Sequence, residues 1–331
     1  MLDLDTLFEI TRVGGAFVVS PTEKTEFTPF AFVLNVKGLK GGRAVELAPG
    51  YTLRRAEKSE VDFIREFIAK DLGDANHGIW ETRPPKSGAK PVKLPRNKWR
   101  YFVIEFGHDD PRIDLLEAAL TLAPVSIDLA FAKIRANLKG VVVSACVFRL
   151  PAVFQSVTAL HLNDKMISLG KPEGDQIKDL FLLMEAHDHS QLDLSGVIDL
   201  LLELKVLPHF SSLQVLGYFA ILESLLTHQP RPDDRYDSIT RQITQKLALL
   251  NRRWTTPLNY DPFKGAKHDS IWKKMYAYRS AIAHGGKPDF KTDLALLQDA
   301  TIANFLIRDA VKKSIRQALV EPQLISDLRH C

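Results

Sequence analysis

Residues 268–286 read HDSIWKKMYAYRSAIAHGG. Placed on a wheel at about 100° per residue, Ile271, Met275, Tyr278 and Ile282 fall on one narrow stripe. Such a stripe is the core face of an amphipathic helix. Gly285-Gly286 follows and suits a left-handed cap, so the pattern predicts a helix over His268–His284 with His284 in its last turn. Arg279 and His284 lie off the stripe and flank a sector of Tyr276, Ser280 and Ala283. The two small residues leave a shallow floor over which a guanidinium can arch toward the imidazole.

The same helical periodicity runs on both sides of this segment. Ile177–Ala186, Leu194–Lys205, Ser211–His228, Asp237–Arg253 and Asp293–Leu319 repeat apolar residues at i, i+3/i+4 and i+7. Short turns at Pro208, Gln229–Pro232, Pro257–Gly265 and Gly285–Pro288 separate them, which predicts an antiparallel helical bundle. The first half reads differently. Ala16–Ser20, Phe30–Val36, Ala44–Leu47 and Tyr51–Arg55 are short runs rich in Val, Phe and Leu, punctuated by Gly41-Gly42 and Pro49-Gly50. Ser59–Asp71 has helical spacing with Ser59 as its N-cap. Trp99–Phe106 and Val141–Phe148 read as strands, and Ile113–Thr121 and Ile127–Leu138 as helices. The expected architecture is therefore two domains: an α+β domain with antiparallel strands over residues 1–165 and an all-α bundle over residues 175–331. His161–Asp175, with Gly170, Pro172 and Gly174, is the expected linker.

Composition sets outer limits. The chain has 331 residues, 45% hydrophobic and 25% charged, with a formal net charge of +4. That is ordinary for a globular protein and permits a nucleic-acid partner without requiring one. Two cysteines, Cys146 and Cys331, make no disulfide framework. The first ten residues carry Asp3, Asp5 and Glu9 and no basic leader. No apolar run reaches the roughly 20 residues of a membrane span. These features lead to the expectation of a cytoplasmic protein. No Walker loop, nucleophile elbow or zinc-type Cys/His spacing is present, and neither a metal nor a cofactor is expected. His187 and His189 read as a polar turn.

Arginine and histidine at this spacing suit phosphodiester chemistry. Cleavage of RNA by its own 2′-hydroxyl needs a group to accept that proton, a second to protonate the leaving oxygen, and positive charge on the phosphate. Histidine shuttles protons near neutrality, and arginine grips phosphate with a planar fork. One Arg279 and one His284 provide a single acid–base group; a second copy across a two-fold axis provides the other. Read alone, Arg-x4-His is a weak pattern, whose other reading is a surface arginine with a histidine at the negative end of a helix dipole.

The surrounding residues add to the spacing. Tyr278-Arg279-Ser280-Ala281-Ile282-Ala283-His284-Gly285-Gly286 resembles the signature helix of the HEPN superfamily, in particular its ApeA-like branch. Leu216–Leu226, apolar with an embedded Glu223, is similar to that branch's earlier helix, and Gly50–Arg55 followed by Glu57–Phe63 to the piece that precedes the domain. The resemblance covers about residues 175–320. It implies a dimerising helical bundle, commonly a metal-independent endoribonuclease, with Arg279 and His284 as catalytic residues and RNA as substrate. It also implies a toxin or antiviral defence role. The residue after the arginine is often Asn, Asp or His in active members and is Ser280 here, as is common in the ApeA-like branch. The alternative is a non-catalytic HEPN dimerisation or nucleic-acid-binding module.

Two further expectations come from the residues themselves. Glu223 is the single charge on a helix apolar nearly all round, so a partner such as Arg279 is expected to compensate it. The other reading leaves Glu223 at a solvent edge. Ser280 and Tyr276 are candidate donors to RNA. Between Arg83 and Arg100 seven cations and no acids occur; Lys90, Lys93 and Arg96 within it are candidate RNA-backbone contacts, the other reading being a solvated loop. The first half is open to a ligand or protein partner that the sequence does not specify.

Overall fold

A computed structural model describes residues 17–20, 28–72, 78–83, 92–107, 112–138, 141–148, 166–205, 207, 211–229 and 238–331. The chain divides into two compact units, Met1–Glu185 and Ala186–Cys331. The first contains an antiparallel sheet; the second is helical among its described residues.

The sheet of the first unit has the order β1-β10-β9-β2-β8-β5-β4, from β1 (Phe17–Ser20), β2 (Phe30–Val33), β4 (Ala44–Ala48), β5 (Tyr51–Arg55), β8 (Phe102–Phe106), β9 (Leu129–Leu138) and β10 (Val141–Phe148). Every neighbouring pair in it is antiparallel. Helix α1 (Lys58–Leu72) packs on one face; helices α2 (Gly78–Glu81) and α3 (Ile113–Leu122) and the antiparallel pair β6 (Thr82–Arg83) and β7 (Val92–Lys93) also belong to this unit. Its Val61, Ile64 and Ile68 pack with Phe30, Phe32, Trp80, Tyr101 and Phe131 in one aromatic-rich core. The Phe67 and Phe131 rings lie 4.4 Å apart, and Phe32 meets Trp80 at 5.3 Å. Burying one such ring fully is worth roughly 1.5–3 kcal/mol. Inside this apolar layer the Tyr101 hydroxyl donates to Glu81 at 2.9 Å, and Glu81 also pairs with Arg65 at 2.8 Å. Burial, then the Glu81 charge, pushes the Tyr101 hydroxyl far above its ordinary titration.

Four expectations are corrected here. Leu129–Leu138 is strand β9, not the helix expected over Ile127–Leu138. Its alanines and leucines favour a helix locally, but β9 pairs with β10 on one side and β2 on the other, and two ladders outweigh weak propensity. Residues 166–175 are not a linker among their described positions. Strand β11 (Ile167–Leu169) pairs in parallel with β3 (Val36–Leu39), and Gly174 lies inside helix α4 (Lys171–Glu185). A Cβ on Gly174 would come within 2.4 Å of a Val45 methyl and 2.9 Å of the Glu46 carbonyl; the glycine allows the helix to seat against β4. Helix α4, expected as the first bundle helix, therefore belongs to the first unit, ending at Glu185. Finally, Ser59 does not cap α1. Glu60 accepts from the Glu57 amide at 2.7 Å, and its carboxylate grips Arg54 at 2.8 Å through two nitrogens.

The second unit contains α5 (Ser195–Leu204), α6 (Ser212–Leu226), α7 (Ile239–Arg253), α8 (His268–Ala283), α9 (Ala300–Val320) and α10 (Pro322–His330). Helix α6 is capped by the Ser211 hydroxyl and packs against each of the other five. That surround is why Val215, Phe219, Ile221, Leu222, Leu225 and Leu226 are all buried. At Gly217 an added Cβ would strike Leu204 of α5 at 2.3 Å, so those two helices approach closely there. The last long helix starts later than the expected Asp293. Gln298 turns at φ 66°, and the Asp299 carboxylate caps α9 by accepting from the Ile302 amide at 2.8 Å.

Candidate functional site

Helix α8 is anchored at both ends. At its start, the His268 Nε2–H meets the Thr244 carbonyl at 2.9 Å, which leaves Nδ1 to accept from the Tyr260 hydroxyl at 2.7 Å. The Trp272 indole donates to the same hydroxyl at 3.0 Å. Every polar atom of this trio is thereby satisfied. Burial pushes the Tyr260 hydroxyl up to about 12, offset in part by the Trp272 bond, so it remains a donor. At the other end, the Gly286 amide reaches the Ala281 carbonyl at 2.8 Å, and the Gly285 amide the Ile282 carbonyl at 3.0 Å, with Gly285 at φ 71°. This is a Schellman cap. It makes His284 the C-cap residue, its amide on the Ser280 carbonyl at 3.1 Å.

Between the anchors, Ile271, Trp272, Met275 and Tyr278 face the core. Ile282, expected on the same stripe, is only half-buried. Arg279 and Glu223 come together across α8 and α6. Arg279 Nη2 lies 3.4 Å from both carboxylate oxygens, with side chains 30% and 21% exposed. Only the contact to Oε2 has hydrogen-bond geometry. Oε1 of Glu223 and Nε of Arg279 are both buried with no hydrogen-bond partner among the described residues. The pair is longer than the roughly 2.7–2.9 Å of a tight charge-assisted bond, so the guanidinium is oriented without being saturated.

Tyr276 supplies a second restraint. The Arg279 guanidinium sits 5.5 Å from its ring centroid, and that ring meets Phe219 edge-on at 5.8 Å. Cation–π contact of this kind holds a guanidinium while leaving its edge free. Tyr276 was expected as a donor to RNA; the platform it makes under Arg279 was legible in its position three residues earlier on the helix. Ser280 is half-buried beside Arg279 in sequence, and His284 is exposed. The arrangement presents one restrained cation and one exposed imidazole from the last turns of a single helix.

In the first unit, Lys90 lies outside the described residues. Lys93 is exposed. Arg96 is not a free cation: it pairs with Asp62 and lies 5.6 Å over the Trp99 ring. Lys98 and Arg100, from the same basic stretch, line a cavity of about 850 Å³. The other cations of that cavity, Lys37, Arg43, Arg54 and Arg55, come from β3 to β5. They are too scattered in sequence to read as a cluster; the Lys37-to-Arg43 run was its visible part. His187 bonds the Leu192 carbonyl at 2.7 Å and His189 lies 3.5 Å from Asp193, both in a local turn.

No family model, curated protein or solved structure matches this chain.

Proposed function

We propose that the helical region is a HEPN-type, metal-independent endoribonuclease that works as a homodimer, as the sequence of α8 implies. The observation that carries this reading is the Arg279–Glu223 pair. The structure holds a guanidinium at 3.4 Å from a carboxylate on the most enclosed helix, one helical segment before an exposed histidine. A surface arginine with no role needs no such restraint.

In this mechanism, Arg279 binds the non-bridging oxygens of a phosphodiester. His284 of one protomer takes the proton from the 2′-hydroxyl. The 2′-oxygen attacks phosphorus, and the bond to the 5′-oxygen breaks. The equivalent histidine across the two-fold axis gives its proton to that leaving oxygen. The products are a 2′,3′-cyclic phosphate and a free 5′-hydroxyl. Glu223 and the Tyr276 face orient Arg279 and do not touch the reacting atoms; Ser280 is a candidate donor to the substrate.

The test compares wild type, Arg279→Ala and His284→Ala on mixed RNA in EDTA. Loss of one acid–base group is expected to slow cleavage by about 10²–10⁴-fold, with circular dichroism and melting unchanged for the exposed His284. Cleavage that survives both substitutions rejects the site. RNA binding without cleavage by wild type assigns the region instead to a non-catalytic dimerisation or nucleic-acid-binding module.

A further inference from the structure

The cavity of the first unit is unused by the nuclease reading and is independent of it. It is lined by β3, the turn after it, the end of β5 and residues 94–102, and none of its described lining residues is a carboxylate. Its cations fall into two groups. Arg54 is committed: it bonds Glu60 at 2.8 Å and also pairs with Glu105, so it serves as a neutralised floor. Arg55 and Arg100 donate to the carbonyls of Trp99 and Thr82, which fixes where they stand. A carbonyl bond does not cancel the charge of Arg55.

Lys37 and Arg43, on β3 and the turn after it, and Lys98, from the segment before β8, are exposed and have no acidic partner among the described residues. Gathering them with Arg55 around one hollow places together four positive charges that no described carboxylate compensates, an arrangement that repels itself unless an anion enters. A phosphate carries roughly 1.5–2 negative charges near neutrality when terminal and about one when internal, so a triphosphate balances this set. Leu39, Leu94 and Phe102 add an apolar wall. The cavity volume, about 850 Å³, lies within the roughly 300–1,000 Å³ of small-molecule sites. An RNA strand would be met by cations repeating along a groove; these cations gather around one hollow instead.

We propose that this cavity binds a small polyphosphate ligand of nucleotide size. The test is calorimetric titration of the full chain with ATP and, separately, with inorganic triphosphate, at two salt concentrations. The comparison variant is Lys37→Ala/Arg43→Ala/Lys98→Ala, which removes only exposed side chains and should keep the wild-type circular dichroism and melting curve. Expected is saturable one-to-one binding that weakens with salt and drops roughly tenfold or more in the variant, each lost charge-assisted contact costing part of that factor. Arg279→Ala should bind as wild type does. Tighter binding of ATP than of triphosphate assigns the apolar wall to a nucleoside; equal binding assigns the site to the phosphate chain alone. Absence of saturable binding by both probes overturns the proposal, as does unchanged affinity in the folded triple variant. So does displacement of both probes by single-stranded RNA whose affinity grows with its length.

Discussion

Glu223 is the only charged residue on Ser212–Leu226, a helix enclosed by five others. A carboxylate there is costly unless something compensates it, and Arg279 lies at 3.4 Å. Glu223→Gln keeps the shape and removes the charge. With both side chains partly exposed, the change in stability should stay within about 1 kcal/mol. If Glu223 positions Arg279, single-turnover RNA cleavage should nevertheless fall by roughly tenfold, the cost of about 1.4 kcal/mol in the barrier. Unchanged cleavage together with unchanged melting would remove Glu223 from the site. At Gly285 the argument concerns backbone. With φ at 71°, an alanine there is strained by about 1–2 kcal/mol, and the cap that presents His284 should fray, visible as faster exchange of the amides at positions 285 and 286.

At the level of elements, close backbone approach decides where two helices sit. Gly174→Ala would drive a methyl into the Glu46 carbonyl at 2.9 Å and Val45 at 2.4 Å. Backbone cannot yield as a side-chain tip does, so α4 should lift from β4 at a cost of about 1–3 kcal/mol, read as a lower urea midpoint. The start of α8 makes a second prediction. The Tyr260 hydroxyl is pushed up to about 12, above the roughly 10 of an unfolded tyrosine. A group whose folded value is raised contributes stability that is complete below the unfolded value and lost as pH rises through the folded one. Stability should therefore decline between pH 10 and about 12, with up to about 2–3 kcal/mol of the loss due to this residue. Tyr260→Phe should be less stable at pH 8, because Trp272 and His268 lose their shared partner, and its stability should fall less steeply above pH 10. A variant with the same slope as wild type in urea titrations at pH 8, 10 and 11 would assign the alkaline loss to other buried tyrosines such as Tyr101 and Tyr278.

For the whole molecule, the proposed chemistry requires two histidines at one phosphate, and each chain offers one at this position. Activity should then depend on concentration. Specific cleavage activity is expected to fall on dilution through the range where sedimentation shows dimer giving way to monomer. Constant specific activity in a sample shown to be monomeric would exclude a site shared between protomers. No described helix is long and apolar enough to cross a membrane.

Helix α8 and its cap are legible in the sequence. Its apolar residues repeat with the helical period and Gly285 tolerates the left-handed turn, both local rules; for the lone charge on α6 the sequence left a partner such as Arg279 and a solvent edge both open. What only the tertiary structure decided depends on pairing between distant segments. Leu129–Leu138 is a strand because β2 and β10 flank it. Lys171–Glu185 joins the sheet unit because Gly174 lets it touch β4. The cavity cations, from Lys37 to Arg100, meet because β3, β5 and the segment before β8 fold around one hollow. Period and capping are written in neighbouring residues, whereas ladders, close approaches and pockets are set by which remote surfaces the chain brings into contact.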